Sequence, residues 1–421
     1  MDIFASDPAG RSFGEIKPNS MPEAFIFDAL RTPRGRGDQR GALYEVKPVD
    51  LLAAALAALR RRQEAAPLLL DDALIGCVTP VDDQGNNIAR AALLHAGWPP
   101  RVGGLQLNRF GTSGLEAVNL AAMKVRAGWE QLVVAGGLES LSRVPMELDG
   151  GALVYDPELI NELRYLPMGI AADLVATMEG FSREALDQYA LRSQQRAFCA
   201  QEEGYFEAAI TPIYDRNGLL LLEADECLRP ELTIDDLSVF PPAYAAIGAS
   251  GFDALALQAC PQLQRIRHLH TGGNSFARVD GAALVLIGGE AAAAALSASP
   301  RARIRAAAAV GVDPPRTVEG AVPAARLALQ RAGMEAGDID LWECNETFAA
   351  VALQFQRALG VDDERFNVNG GAIALGHPLG ATGAVLLGTL LDELERRHLE
   401  TGLVALAGAG GIGVATIVER F

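Results

Sequence analysis

The sequence predicts an α/β protein made of two similar halves with a third region inserted between them. Three observations carry this. Short apolar runs alternate with alanine- and leucine-rich stretches of helical character, the pattern of a mostly parallel sheet covered by helices. The order helix, strand, turn, long helix, strand, Gly-Gly recurs in the first and last parts of the chain, a repeat too long for a solenoid. Residues 141–268 have a different texture and interrupt the pattern.

The elements follow in order. Ala24-Phe25-Ile26-Phe27 reads as a first strand, and Leu51 to Arg62 as a helix whose closing arginines suit the negative helix C-terminus. Ala73 to Val78 is a buried strand, and Ser113 to Ala127 a helix that starts just after Gly111. Leu132 to Gly137 is an apolar strand that two glycines close as a turn. In the inserted region Ser182 is placed to cap a helix whose first turn holds Glu184. His270-Thr271-Gly272-Gly273-Asn274 returns the chain to the first half. Ala324 to Ala332 is then a helix, Ile339 to Glu343 a strand and Gly380 to Arg397 a long helix. Leu403 to Gly411 is a strand running into glycines. The expected division is an extension 1–21 without order, a first core of 22–140 plus 269–297, an inserted domain 141–268 and a second core 298–421.

Composition narrows the function. Half of the 421 residues are hydrophobic, enough for large cores. The formal net charge of −17 disfavours a nucleic-acid surface or an anionic membrane as partner. No apolar run reaches the ~18 residues of a membrane span, and the first 21 residues have no signal-peptide core. Five cysteines without a C-x-x-C pair suit a reduced, cytoplasmic protein. His268 and His270 are expected beside a strand and not on a metal, because no carboxylate or cysteine nearby in sequence completes a ligand set. No metal site is expected.

The segment Asn108-Arg109-Phe110-Gly111-Thr112-Ser113-Gly114-Leu115 is the most informative. It resembles the nucleophile segment of thiolases, Asn-Arg-x-Cys-x-Ser-Gly-Leu, with glycine in place of the cysteine. Five more stretches resemble the same family in the same order. They are Gly-Gly-Leu-Glu-Ser at 136–140, Ala-Leu-Arg-Ser-Gln-Gln-Arg-Ala at 190–197 and Thr-Gly-Gly-Asn at 271–274 followed by Asp280-Gly281-Ala282-Ala283. Asn345-Glu346-Thr347-Phe348-Ala349 and Asn369-Gly370-Gly371 through Gly376-His377-Pro378-Leu379-Gly380 complete the set. The resemblance runs from about Pro22 to Phe421, and the stretch between Pro242 and His270 looks most like the thiolase subunit of bacterial fatty-acid β-oxidation complexes. It implies the thiolase fold: two halves, each with a mixed five-stranded sheet, in five layers αβαβα, with an inserted loop domain over the acyl-CoA site. It also implies at least a homodimer, and a hetero-complex with a β-oxidation or other acyl-CoA enzyme as a further partner.

A thiolase site needs a thiolate attacker, a second cysteine as acid/base, and a histidine with an asparagine-held water for the oxyanion. By resemblance His377 and Asn345 are the last two. Gly111 and Ala407 stand where the two cysteines would be. The backbone at Gly111 and Gly410 is implied as a second oxyanion hole, and Met168, Arg192, Ser275 and Phe276 as the substrate wall. Phe276 replaces a small residue beside the pantetheine tunnel, where its ring would narrow the passage. Thr112 and Ser113 flank the vacated position, but a neutral hydroxyl needs a base and the sequence offers none. Cys344 precedes Asn345 and, by strand alternation, faces away from it.

These readings leave two classes of function. One is an enzyme working on acyl-CoA-type thioesters by cysteine-free carbon–carbon bond chemistry, of retro-aldol or decarboxylative type, with the CoA thioester as ligand and no covalently bound cofactor. The other is a catalytically silent subunit that binds acyl-CoA or supports an active partner. An acyltransferase with a replacement nucleophile is the third alternative. In the first reading ordinary thiolysis is expected to be lost.

Overall fold

The computed structural model describes residues 22–64, 66–296 and 298–421; the expected extension 1–21 lies outside them. The strands are β1 (Phe25–Arg31), β2 (Gly35–Arg36), β3 (Asp72–Gly76), β4 (Leu105–Leu107), β5 (Leu132–Ser140), β6 (Ile213–Tyr214), β7 (Leu220–Leu222), β8 (Val279–Gly288), β9 (Ala302–Gly311), β10 (Leu341–Cys344), β11 (Thr401–Gly408) and β12 (Ile412–Glu419). β6 and β7 form a ribbon of their own; the rest make one sheet in the order β10-β11-β12-β9-β1-β8-β5-β3-β4, with β2 on β8.

The duplication is written in this order. In the first half β4, β3 and β5 are parallel, and β8 and β1 follow antiparallel. In the second half β10 and β11 are parallel, and β12 and β9 follow antiparallel. The halves meet at a seam of two residue pairs, Phe25 with Arg303 and Ile26 with Ala302.

The second half departs from the expected five strands. The counterpart of β4 is reduced to one parallel bridge, Trp342 with Phe366. The reason is Asn367. Its side-chain amide accepts from Cys344 N at 2.8 Å and donates to Cys344 O at 2.9 Å, so a side chain fills the ladder positions of a strand.

Two helices lie between the halves, Ser113–Arg126 and Thr382–Arg397. Leu115, Val118 and Ala121 from one and Leu387, Leu390 and Leu391 from the other pack with Val133 and Ala135 of β5 and Val404 and Leu406 of β11. Each large side chain buried in this way contributes roughly 1.5–3 kcal/mol. Outside them, Leu52, Leu56 and Leu59 of the helix Pro48–Arg62 cover one half. Ala324, Ala328 and Phe355, from the helices Ala321–Ala332 and Ala349–Leu359, cover the other. The layers are therefore αβαβα.

Gly136 and Gly137 are not a turn, as expected from sequence, but lie inside β5. A Cβ at Gly136 would sit 2.0 Å from Ala283 O and one at Gly137 1.9 Å from Gly380 O. Close backbone approach explains both glycines. The pair Gly410-Gly411 is a true turn between β11 and β12, with φ of 72° and 77°. In the inserted region Ser182 caps the helix Arg183–Glu202 through Ala185 N at 3.1 Å.

The two histidines are hydrogen-bonded to carboxylates from other segments of the chain. Asp173 bonds His270 Nδ1 at 2.8 Å and His268 Nδ1 at 2.9 Å, and Asp253 bonds His268 Nε2 at 3.0 Å. This set ties the helix Met168–Met178 to the strand-bound segment. Among the described residues there is no His/Cys/Asp/Glu cluster fit for a metal and no helix long and apolar enough to cross a membrane. All five cysteines are free thiols.

Candidate active site

The segment 108–113 is shaped by its own hydrogen bonds. Asn108 accepts from Phe110 N at 2.7 Å and donates to Val78 O at 2.9 Å. Phe110 has φ of 51°, an uncommon left-handed conformation for a bulky residue that the surroundings must hold in place. Thr112 donates its hydroxyl to Arg109 O at 2.6 Å. Ser113 Oγ donates to Phe110 O at 2.5 Å and accepts from Arg109 N at 2.8 Å. Both side chains are buried, and both hydroxyl protons are committed to backbone carbonyls. Neither is free to attack a substrate.

Gly111 points at His377. A Cβ built on Gly111 would lie 3.1 Å from His377 Nε2 and 3.9 Å from Ala407 O. His377 lies on the loop between the short helix Ala372–Leu375 and the central helix Thr382–Arg397, and its backbone N donates to Ala277 O at 2.9 Å. Its Nδ1 meets Thr382 Oγ1 at 2.5 Å, and its Nε2 meets Asn345 Nδ2 at 3.3 Å. With the amide in this orientation Asn345 donates to Nε2, and Nδ1–H donates to Thr382. The other tautomer, with the Thr382 hydroxyl donating to Nδ1, carries its proton on Nε2 and offers it to an oxyanion once the Asn345 amide turns away from that nitrogen. Asn345 Nδ2 also donates to Thr347 Oγ1 at 2.9 Å, and its buried Oδ1 has no protein partner. Burial, aided by the nearby Arg34 charge, holds the His377 imidazole neutral, with its pKa pushed down to about 3.

Two buried charge sites fix these segments to one another. Glu139 of β5 accepts from Val78 N at 2.9 Å, Thr79 N at 3.1 Å, Gln84 Nε2 at 2.9 Å and Gly380 N at 3.0 Å. It thereby joins the first half to the loop that carries His377. Asp225, from the inserted region, pairs with Arg31 and Arg34 at 2.8 Å each. Arg34 in turn donates to Gly376 O at 3.3 Å. Burial opposes charge on Asp225, but the two guanidiniums win and hold it well below the usual carboxylate range.

A cavity of about 320 Å³ opens over this site. Gly111, His377, Ala407, Met168 and Phe276 line it, with Thr347 beside them. One wall is the segment 146–154, carrying Glu147 and Asp149; Tyr165 lies in the same lining. Among the described lining residues there is no lysine or arginine. Phe276 stands edge-on to the His377 ring at 5.2 Å and to Phe348 at 6.2 Å, and Phe348 stands edge-on to Tyr244 at 5.8 Å.

Not every expected residue comes to the cavity. Arg192 pairs with Asp363 at 3.1 Å and lies over the Tyr189 ring at 5.0 Å, away from the lining. Ser275 is buried behind Phe276. Gly410 sits behind Ala409, which does line the cavity; a Cβ on Gly410 would be 3.3 Å from the Phe110 ring. Cys344 packs into the outer core with Phe366 and Trp342, as strand alternation predicts. The sequence reading did not single out Thr382, Glu139 or Tyr165. Glu139 lies within Gly-Gly-Leu-Glu-Ser and so stood inside a motif, whereas Thr382 lies two residues beyond the one that ends at Gly380. Nothing in the sequence near Tyr165 marks it.

The chain matches the family model "Thiolase, N-terminal domain" over residues 24–251 and "Thiolase, C-terminal domain" over residues 298–420. It belongs to the thiolase family. A 3-ketoacyl-CoA thiolase of Cronobacter sakazakii is 39% identical over 409 residues, covering 95% of this chain and all of that protein. One from Salmonella typhimurium is 38% identical with the same coverage. Among solved structures, the Bacillus anthracis acetyl-CoA acetyltransferase aligns with a TM-score of 0.82 at 33% identity, over 96% of this chain and 100% of that one. Human mitochondrial 3-ketoacyl-CoA thiolase aligns with a TM-score of 0.82 at 31% identity, over 95% and 100%. Within this thiolase-family chain, residue 111, which faces His377, is a glycine, and residue 407 in the same cavity lining is an alanine.

Proposed function

We propose that this protein acts on acyl-CoA-type thioesters by cysteine-free carbon–carbon bond chemistry, holding an enolate at His377 and a water on Asn345. One observation carries the reading: a neutral, buried imidazole faces the space that a side chain on residue 111 would fill, and neither 111 nor 407 supplies a thiol. An imidazole with its pKa near 3 is a poor base at neutral pH but a sound hydrogen-bond donor to a developing oxyanion. In decarboxylative cleavage CO₂ leaves, and in retro-aldol cleavage an aldehyde leaves as the β-hydroxyl gives its proton to solvent; in both the electron pair of the broken bond becomes the enolate, so no acyl-enzyme is needed. Thiolysis through a covalent acyl-enzyme is lost in this reading. The CoA thioester is the ligand, and no covalently bound cofactor takes part. At least a homodimer, a cytoplasmic location and a hetero-complex with another acyl-CoA enzyme complete the proposal.

The second reading, a silent subunit that binds acyl-CoA or supports a partner, is favoured by one feature. The aromatic series Tyr244, Phe348, Phe276 ends on the His377 ring and fills the flank where the family's pantetheine tunnel is expected. The test is cleavage of β-hydroxybutanoyl-CoA and malonyl-CoA, with the product acyl-CoA read by mass spectrometry. The enzyme reading expects turnover in the parent, reduced roughly 10²–10³-fold in His377→Ala and Asn345→Ala, the range for loss of an oxyanion donor. Absence of turnover in the parent on both substrates leaves the silent subunit.

A further inference from the structure

A site that stabilises an enolate still needs a group to deliver the proton to carbon. In a family member with Ala407, the second thiol that would do this is missing, and His377 is held too acidic to do it well. The cavity lining offers three other ionisable side chains: Glu147, Asp149 and Tyr165. The two carboxylates are exposed, on the segment that forms the outer wall. Tyr165 is half-buried and stands in the same lining as Ala407, Gly408 and Ala409.

Its position is built. The helix Pro157–Leu163 ends at Arg164 in the left-handed conformation, φ 50°, and Tyr165 N then bonds Ile160 O at 3.0 Å. Leu166, fully buried, and Pro167 lead directly into the helix Met168–Met178, so the phenol is held between two helix ends. The tyrosine thus lines the cavity together with Ala407 and the residues that lead into the turn after it.

We propose that Tyr165 is the catalytic residue that carries the proton to and from the substrate α-carbon, replacing the thiol absent at Ala407. The assignment rests on the enolate reading above. After carbon–carbon cleavage, the Tyr165 O–H bond breaks, its proton joins Cα, and the enolate electron pair becomes the new C–H bond. Solvent then returns a proton to the phenolate. In reverse, the phenolate takes an α-proton, and the C–H pair moves into the enolate held at His377. The charged or titratable groups that line the cavity with Tyr165 are Glu147, Asp149 and His377. Burial and the Glu147 charge push the phenol up, so it is a protonated donor at neutral pH.

The test is exchange of the α-protons of butanoyl-CoA in D₂O, followed by mass spectrometry on the full chain. The parent is expected to exchange, with a rate that climbs as pH rises toward the phenol pKa. Tyr165→Phe is expected to lose ~10²-fold or more, the range for general acid–base catalysis, with unchanged butanoyl-CoA binding and melting temperature. Glu147→Gln removes a charge that disfavours the phenolate, so its pH–rate curve shifts to lower pH; a merely structural tyrosine would leave the curve in place. Exchange that is equal in parent and Tyr165→Phe but lost in His377→Ala overturns the assignment and leaves the enolate reading standing. A parent that does not exchange also overturns it, while the cleavage assay on β-hydroxybutanoyl-CoA and malonyl-CoA judges the enolate reading separately.

Discussion

The two sides of the cavity have had different fates. On the second-half side, His377 keeps a partner at each ring nitrogen, Thr382 and Asn345, and the loop beneath it is tied down through Arg34 and Glu139. On the first-half side, the segment at Gly111 keeps its hydrogen-bonded shape and its left-handed Phe110, yet presents no reactive atom. The difference shows that the scaffold and the nucleophile are separable. Backbone strain at 110 persists because Asn108, Ser113 and the packing around them over-determine it, with or without a thiol at 111. In the proposed reading the task of the retained side is to donate hydrogen bonds to an oxygen.

The largest expected effect tests the support of the retained side. Asp225→Ala leaves Arg31 and Arg34 buried without a carboxylate, and is expected to cost about 3–5 kcal/mol in a denaturant titration at neutral pH. The sign with pH follows from its depressed pKa. Its stabilisation is present above the ordinary aspartate range, near pH ~3.9, and is lost as pH falls below that toward the folded value. The gap between variant and parent should therefore narrow in strong acid. A gap that stays constant, or a cost near zero, would mean that the triad does not hold the His377 loop.

Next comes the ring itself. Thr382→Val removes the partner of His377 Nδ1 and leaves one buried polar nitrogen unpaired, at about 1–3 kcal/mol. If the hydroxyl also sets the tautomer, cleavage or exchange activity falls more than stability does, and Thr382→Ser restores it. Equal loss with serine and valine would make Thr382 a packing residue only.

Much of this contrast was readable before the structure. Apolar runs such as Leu132–Ala135 and Leu403–Leu406 are long enough to mark buried strands, and the glycine-rich setting of His377 marks a functional loop. Three things were not readable, each for a physical reason. The missing fifth strand depends on a single side chain, Asn367, imitating backbone. Gly136 and Gly137 looked like a strand end because sequence does not show which backbone will approach within 2.0 Å of a missing Cβ. Arg192 was misplaced because its partner Asp363 is remote in sequence, and Tyr165 was missed because the cavity that it lines is assembled from segments remote from it.

The smallest expected effect concerns the vacated side. Gly111→Cys adds a Cβ 3.1 Å from His377 Nε2, so the ring must yield by a few tenths of an ångström. Overpacking of this size is expected to cost about 1 kcal/mol, visible as a small shift in the unfolding midpoint. Thiolysis should stay absent, because Ala407 still offers no second thiol; the pair Gly111→Cys with Ala407→Cys is the variant in which it can return. Thiolysis by Gly111→Cys alone would mean that another group, Tyr165 first among them, already moves the proton.

The most direct test of the central claim is the intact mass of the parent protein after incubation with acetoacetyl-CoA, with CoA then added and loss of the enolate absorbance followed. A site without a nucleophile predicts an unmodified protein mass and no thiolysis. A protein that gains one acetyl group, or that turns over near the ~10 s⁻¹ typical of enzymes, would contradict the account and locate a nucleophile elsewhere in the cavity.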